Sequence, residues 1–261
     1  MVAHVHGTPG PWTIGVSVTV LVLAVGYVRG WVWRRRALAN PIPPWRAASF
    51  FAGLASALAA VASPIGAGDE RLLTFHMVQH LLLMTVAPPL IFLGEPVSAL
   101  WRHPITRPRR ARPTVSLAVY WIPATATLVG WHIPAAFAVA LRSPTWHAVE
   151  QVSFLLAGFL FWWPVMQPWP SRREPRWSIV LYLFLATLPC DILSAFLVFS
   201  DRVAYSVYLS TSSGLTALDD QQCAGALMWT CVTVVYLVAG VIVSTQLLVS
   251  PTLRERLAEI A

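Results

Sequence analysis

Charge is what this sequence has least of. Only 11% of its 261 residues are Asp, Glu, Lys or Arg, against roughly 25% in a typical soluble domain. So few charges cannot cover the surface of a water-soluble globule of this size, and that class is excluded. Lysine is missing altogether, so all eighteen basic residues are arginines. Cysteine is scarce: Cys190, Cys223 and Cys231 are odd in number and lie in or beside apolar runs, which argues against a disulfide framework. No loop is long enough for a soluble domain. No internal repeat suggests an inverted-repeat transporter.

What is present is apolar length. Hydrophobic residues make up 57% of the chain and the mean hydropathy is +0.64. Apolar runs lie near 12–33, 45–63, 72–93, 114–131, 146–166, 177–199 and 222–249. Each suits a hydrocarbon core about 30 Å thick, which a helix of about 20 residues crosses. Pro and Arg clusters punctuate them, and Trp12, Trp45, Trp146 and Trp177 mark span ends as an interfacial belt would. The expected fold is all-α: a polytopic seven-transmembrane-helix bundle forming one domain over 1–261. Residues 1–11 are an external tail, 12–249 the bundle and 250–261 a cytoplasmic tail. The first span has no basic region before it and no small-residue cleavage site after it, so an uncleaved helix is expected.

The formal net charge of +7 invites a nucleic-acid reading. The arginines instead sit in short loops between apolar runs. Fifteen of them fall after spans one, three, five and seven, and only Arg71, Arg142 and Arg202 fall on the other side. The arginine-rich side is cytoplasmic by the positive-inside rule, which places the N-terminus outside. A multi-pass protein of a bacterial inner membrane is expected, with the bilayer as a partner and no nucleic acid.

That topology puts His76, His80, His132 and His147 at one depth near the outer surface. His76 and His80 stand one turn apart on one helical face. An ionisable residue inside a membrane is costly and suggests function. Histidines on three facing helices suggest one metal site, although each taken alone suits packing or an interfacial position. Met77, Met84 and Met228 are candidate soft ligands, or else core filler. Glu150 and Asp191 are candidates to orient the imidazoles, and Asp191 could equally support the helix that Pro189 opens. Asp219 and Asp220 belong to the same outer group, or cap a helix N-terminus. Pro88-Pro89 should kink span three or break its inner end. The segment 200–221 should fold over the bundle mouth.

Imidazole with thioether or thiol nearby favours copper, especially Cu(I). Zinc is the rival, with His147, Glu150 and Asp191 as ligands or supports, and haem is a third possibility. Thr74-Phe75 before His76 and Gln79 before His80 exclude the His-Glu-x-x-His motif, which weakens a hydrolase reading. A second copper site could form at the tail, where loss of Met1 would expose Val2-Ala3-His4, with His6 beside it; an incidental flexible tail is the alternative.

Several segments together resemble a known family. The stretch Phe75-His76-Met77-Val78-Gln79-His80-Leu81-Leu82-Leu83-Met84, running on to Ala87-Pro88-Pro89 and Gly94-Glu95-Pro96, resembles the multi-span CtaG family of cytochrome c oxidase assembly factors. So do Trp131-His132-Ile133-Pro134, His147-Ala148-Val149-Glu150-Gln151 with Phe161-Trp162-Trp163-Pro164-Val165, and Asp219-Asp220-Gln221-Gln222 with Gly225 and Met228-Trp229. The resemblance covers roughly residues 45 to 250; before 45 the match is only an apolar helix. It concerns the seven-helix type, not the single-span copper chaperone of the same name. It implies a non-enzymatic role in maturing a caa-type haem-copper oxidase, with oxidase subunits as partners and copper as cargo. Relatives fused to copper-resistance membrane domains imply copper handling more broadly. A membrane metalloenzyme or haem redox protein is the alternative, and a metal-free scaffold for oxidase subunits is another.

Overall fold

A computed structural model of the protein describes residues 10–37, 42–63, 71–100, 115–166, 177–210 and 215–248. His4, His6, His103, both arginine-rich loops at 101–114 and 167–176, and the tail 250–261 lie outside the described residues. Among the described residues all regular structure is helical. In chain order the helices are α1 (Pro11–Ala37), α2 (Pro44–Ala62), α3 (Leu73–Leu81), a π turn (Leu82–Val86), α4 (Ala87–Leu93), α5 (Pro96–Leu100), α6 (Ala118–Trp131), α7 (Pro134–Arg142), α8 (Pro144–Met166), α9 (Trp177–Phe199), a 3-10 turn (Ser206–Ser210) and α10 (Ala217–Leu248).

Six spans are long and apolar enough to cross a membrane. Five are single helices (α1, α2, α8, α9 and α10), and the sixth is the continuous run α3–π–α4. Large apolar side chains on their outer faces, such as Val22, Phe184, Ile192 and Leu237, are more than half exposed. Apolar surface on that scale needs lipid around it. The expected span 114–131 differs. Its helix α6 has only 14 residues, and α7 follows it at a bend of 74°, so the pair is one broken span or a re-entrant loop. The cause is local. Pro134 disfavours the helical region for Ile133, which is extended (φ −65°, ψ 126°), and then starts α7 at its first position.

Pro88-Pro89 neither break the third span nor end it. A proline has no N–H, so Pro88 cannot bond back to the Met84 carbonyl. The helix widens just before, where the Ala87 N–H reaches the Leu82 carbonyl five residues back. The freed Met84 carbonyl accepts instead from Trp162 Nε1 of α8 at 3.2 Å. Gly158 makes that crossing possible. A Cβ there would stand 2.6 Å from the Met84 oxygen and 2.7 Å from Pro88 Cγ. Gly158→Val is therefore expected to destabilise the fold by about 3 kcal/mol, read as a lower thermal midpoint of the detergent-solubilised protein.

The core runs between α3, the π turn, α6, α8, α9 and α10. A smaller cluster, with Tyr27 stacked on Phe50 at 4.0 Å, joins α1 to α2. The described part of the segment after α9 does fold over the bundle. Tyr205 and Tyr208 are buried, and Gln221 pins the segment by accepting from Ala204 N at 2.7 Å and donating to the Leu197 and Arg202 carbonyls.

Candidate metal centre

The site begins with how α3 starts. Leu72, at its N-cap, offers no side-chain acceptor. Asp220, buried in the first turn of α10, supplies one from another helix. Its carboxylate accepts from Leu73 N at 2.6 Å, Thr74 N at 3.1 Å and Thr74 Oγ1 at 2.6 Å. A carboxylate there both satisfies orphan donors and faces the positive end of the helix dipole. Asp219 stays on its own helix, where it pairs with Thr216 at the start of α10. Both aspartates therefore cap helices, and Asp220 fixes the phase at which α3 turns His76, Met77, Gln79 and His80 into the bundle, where all four are buried.

Glu150, fully buried on α8, meets that face. Its Oε1 lies 3.4 Å from His76 Nε2 and 3.4 Å from His80 Nε2, and its Oε2 lies 3.9 Å from His147 Nε2. One donor atom each from His76, His147 and Glu150 falls within 4.8 Å of the others. These spacings are long for hydrogen bonds. Two donors bound to one ion at about 2.0–2.1 Å in tetrahedral geometry stand about 3.4 Å apart. Glu150 Oε2, His76 Nδ1 and both ring nitrogens of His80 are buried without a hydrogen bond among the described residues, and buried polar atoms are rarely left so.

Neighbours hold the rings in place. His80 stacks on Phe154 at 3.8 Å, and His76 lies against Phe137 at 4.7 Å. His147 Nε2 is 3.0 Å from Gln79 Oε1 and 3.2 Å from Gln151 Nε2. Both amides are oriented from behind, since Gln79 donates to the Ala60 carbonyl and Gln151 accepts from Trp12 Nε1. His147 Nε2 thus faces an acceptor and a donor at once, and a single proton cannot satisfy both. With 18% of its side chain exposed it is the most open member of the cluster, where the others are sealed.

His132 caps the end of α6, its ring centre 5.7 Å from that of His80. Its Nδ1 is 2.7 Å from the Leu128 carbonyl and its Nε2 is 3.3 Å from Met77 Sδ. Tyr205 donates to the His132 carbonyl at 3.0 Å. Burial, and then the charge of Glu150, raise the Tyr205 phenol above its usual range, so it remains a donor. The four histidines and Glu150 picked out in the sequence are thus brought together. Asp191 is not: among the described residues it makes no hydrogen bond or ion pair with any of them, and its Oδ1 is buried alone. Met84 and Met228 lie deeper, around a cavity below His80 and His132. Gln79, Gln151 and Trp12 were missed. The signal for the two amides was spacing, since Gln79 falls three residues after His76 and Gln151 four after His147.

A family model described as cytochrome c oxidase caa3 assembly factor matches residues 25–250. The chain belongs to that family. The match begins inside α1, earlier than the sequence motifs, and so takes in the second half of that helix. An uncharacterized protein of Mycobacterium leprae is 24% identical over 82% of this chain and 36% of its own length. Another uncharacterized protein, from Mycobacterium bovis, is 27% identical over 85% of this chain and 38% of its own. The chain thus spans little more than a third of the length of these curated relatives. No solved structure matches it.

Proposed function

We propose that this multi-pass membrane protein binds copper at the cluster of His76, His80, His147 and Glu150, with His132 behind it, and delivers the ion to a haem-copper cytochrome c oxidase. Delivery is ligand exchange with a docked oxidase subunit, so the role is not enzymatic. The observation that carries this reading is Glu150 Oε1, set 3.4 Å from two imidazole nitrogens in a sealed site with orphaned donors. Imidazole donors suit copper and zinc alike, and the thioether beside His132 inclines the set towards copper. The adjoining cavity of about 30 Å³ has room for a bare ion but not a porphyrin, since ligand pockets run from about 300 Å³ upward.

The cluster sits at the end of the bundle from which an ion would come. Trp12, at the start of α1, reaches Gln151 beside His147, whereas Arg34, Arg35 and Arg36 stand at the other end of α1. The positive-inside rule then puts the cluster on the outer side of a bacterial cell membrane, with the N-terminus outside and the C-terminus cytoplasmic.

In cells carrying His76→Ala/His80→Ala, oxidase copper content should fall while subunit abundance holds. The purified wild type should carry near-stoichiometric copper that the variant lacks. Normal oxidase copper in the variant refutes delivery. Zinc in place of copper moves the reading to a membrane metalloenzyme.

A further inference from the structure

Below the histidine cluster, the 30 Å³ cavity gathers half of the chain's sulfur. Of five methionines and three cysteines, Met77, Met84, Met228 and Cys190 line this one space, with His80 and His132 at its upper edge. They come from α3, the π turn, α10 and α9, so no single helix pattern accounts for the gathering. Phe161 closes the cavity towards the opposite end, stacked with Tyr236 at 5.1 Å and Tyr182 at 5.0 Å.

His132 sets the donors at the edge of this space. A carbonyl oxygen can only accept, so Nδ1, at 2.7 Å from the Leu128 carbonyl, carries the proton. The neutral ring then presents a bare Nε2 lone pair to the lone pairs of Met77 Sδ at 3.3 Å. In that neutral tautomer two acceptors face each other. A nitrogen and a sulfur bound to one ion at about 2.0 and 2.3 Å in tetrahedral geometry stand about 3.5 Å apart. His80, 4% exposed and lining the same space, has neither ring nitrogen hydrogen-bonded among the described residues, its Nε2 lying 3.4 Å from Glu150 Oε1.

We propose that this cavity is a second metal station selective for Cu(I), distinct from the His/Glu cluster and joined to it through His80. The inference rests on the metal reading of that cluster. Thioether donors such as Met77, Met84 and Met228 select a soft monocation, whereas the Glu150 carboxylate above suits a harder ion. A single positive charge with neutral donors is also the least costly ion to place at this depth. The ion arrives as Cu(I), so no electron is transferred. His80 faces Glu150 on one side and the cavity on the other. It can therefore hold the ion while one donor set replaces the other.

The test uses the full chain in nanodiscs, without oxygen, loaded with one equivalent of Cu(I). Copper X-ray absorption of the wild type should show sulfur neighbours at about 2.3 Å, a readout that needs no variant. Met77→Leu/Met228→Leu/Cys190→Ala, whose Met→Leu changes nearly conserve volume, should lose those neighbours and bind Cu(I) roughly 10- to 100-fold more weakly against a chromogenic chelator. His147→Ala should keep them. Copper bound by nitrogen and oxygen alone, and lost in His76→Ala/His80→Ala, overturns the second station and leaves the first. Unchanged affinity in the sulfur-poor variant also overturns it. Failure of the wild type to bind Cu(I) at all overturns both.

Discussion

Glu150→Gln is expected to weaken metal binding roughly 10- to 100-fold without lowering the stability of the metal-free protein. The two halves of that expectation have one cause. The Glu150 side chain has no exposed surface and faces three imidazole nitrogens at 3.4, 3.4 and 3.9 Å, long distances for hydrogen bonds. Burying a poorly compensated carboxylate costs free energy. Glutamine has the same shape and no charge, so the empty site should tolerate it or gain from it. A bound cation reverses the balance, because the carboxylate then neutralises charge that the amide cannot. Thermal midpoints with and without copper separate the effects. Each tenfold loss of affinity removes about 1.4 kcal/mol of metal-dependent stabilisation. A wild type whose midpoint ignores copper would favour the scaffold reading.

Asp220→Ala should behave in the opposite way and destabilise the protein with or without metal. Three donors lose their acceptor, and two of them are backbone N–H groups at the first turn of α3. No water replaces the carboxylate in a buried position, so the loss should be about 3 kcal/mol. Asp220→Asn should fall between, since its amide can still accept on one side only. Thr74→Val is the milder control, because it removes the hydroxyl and leaves both backbone contacts. Because α3 carries His76 and His80, metal affinity should fall along with stability in Asp220→Ala. A drop in affinity without a drop in thermal midpoint would instead make Asp220 a ligand.

How far the sequence discloses this structure depends on the range of the interaction. Hydropathy locates the long apolar helices because each satisfies its own backbone, and turn-by-turn spacing puts His76 and His80 on one face. The broken span at Ile133-Pro134 was less visible, since a run of apolar residues reads the same straight or bent. Pro88-Pro89 suggest a kink or a break, but not that the carbonyl they free finds its donor in Trp162, more than seventy residues away. Asp220 read as a cap for the helix it begins, but it caps another, a pairing that no local pattern encodes. Asp191 was grouped with the histidines by depth alone, and depth does not say which way a helix faces. Cys190, next to it, passed for a small apolar residue until its neighbours on three other segments were in view.

The Met84 carbonyl ties the fates of two distant positions. With proline at 88 it has no donor in its own helix, and only the Trp162 indole keeps it from standing bare in the hydrocarbon. A descendant that gains a backbone N–H at 88 can let the tryptophan drift. One that loses the indole first must carry a lone polar oxygen until 88 changes. Pro88 and Trp162 are in that sense one heritable unit, and the route away from it is open in one order and closed in the other.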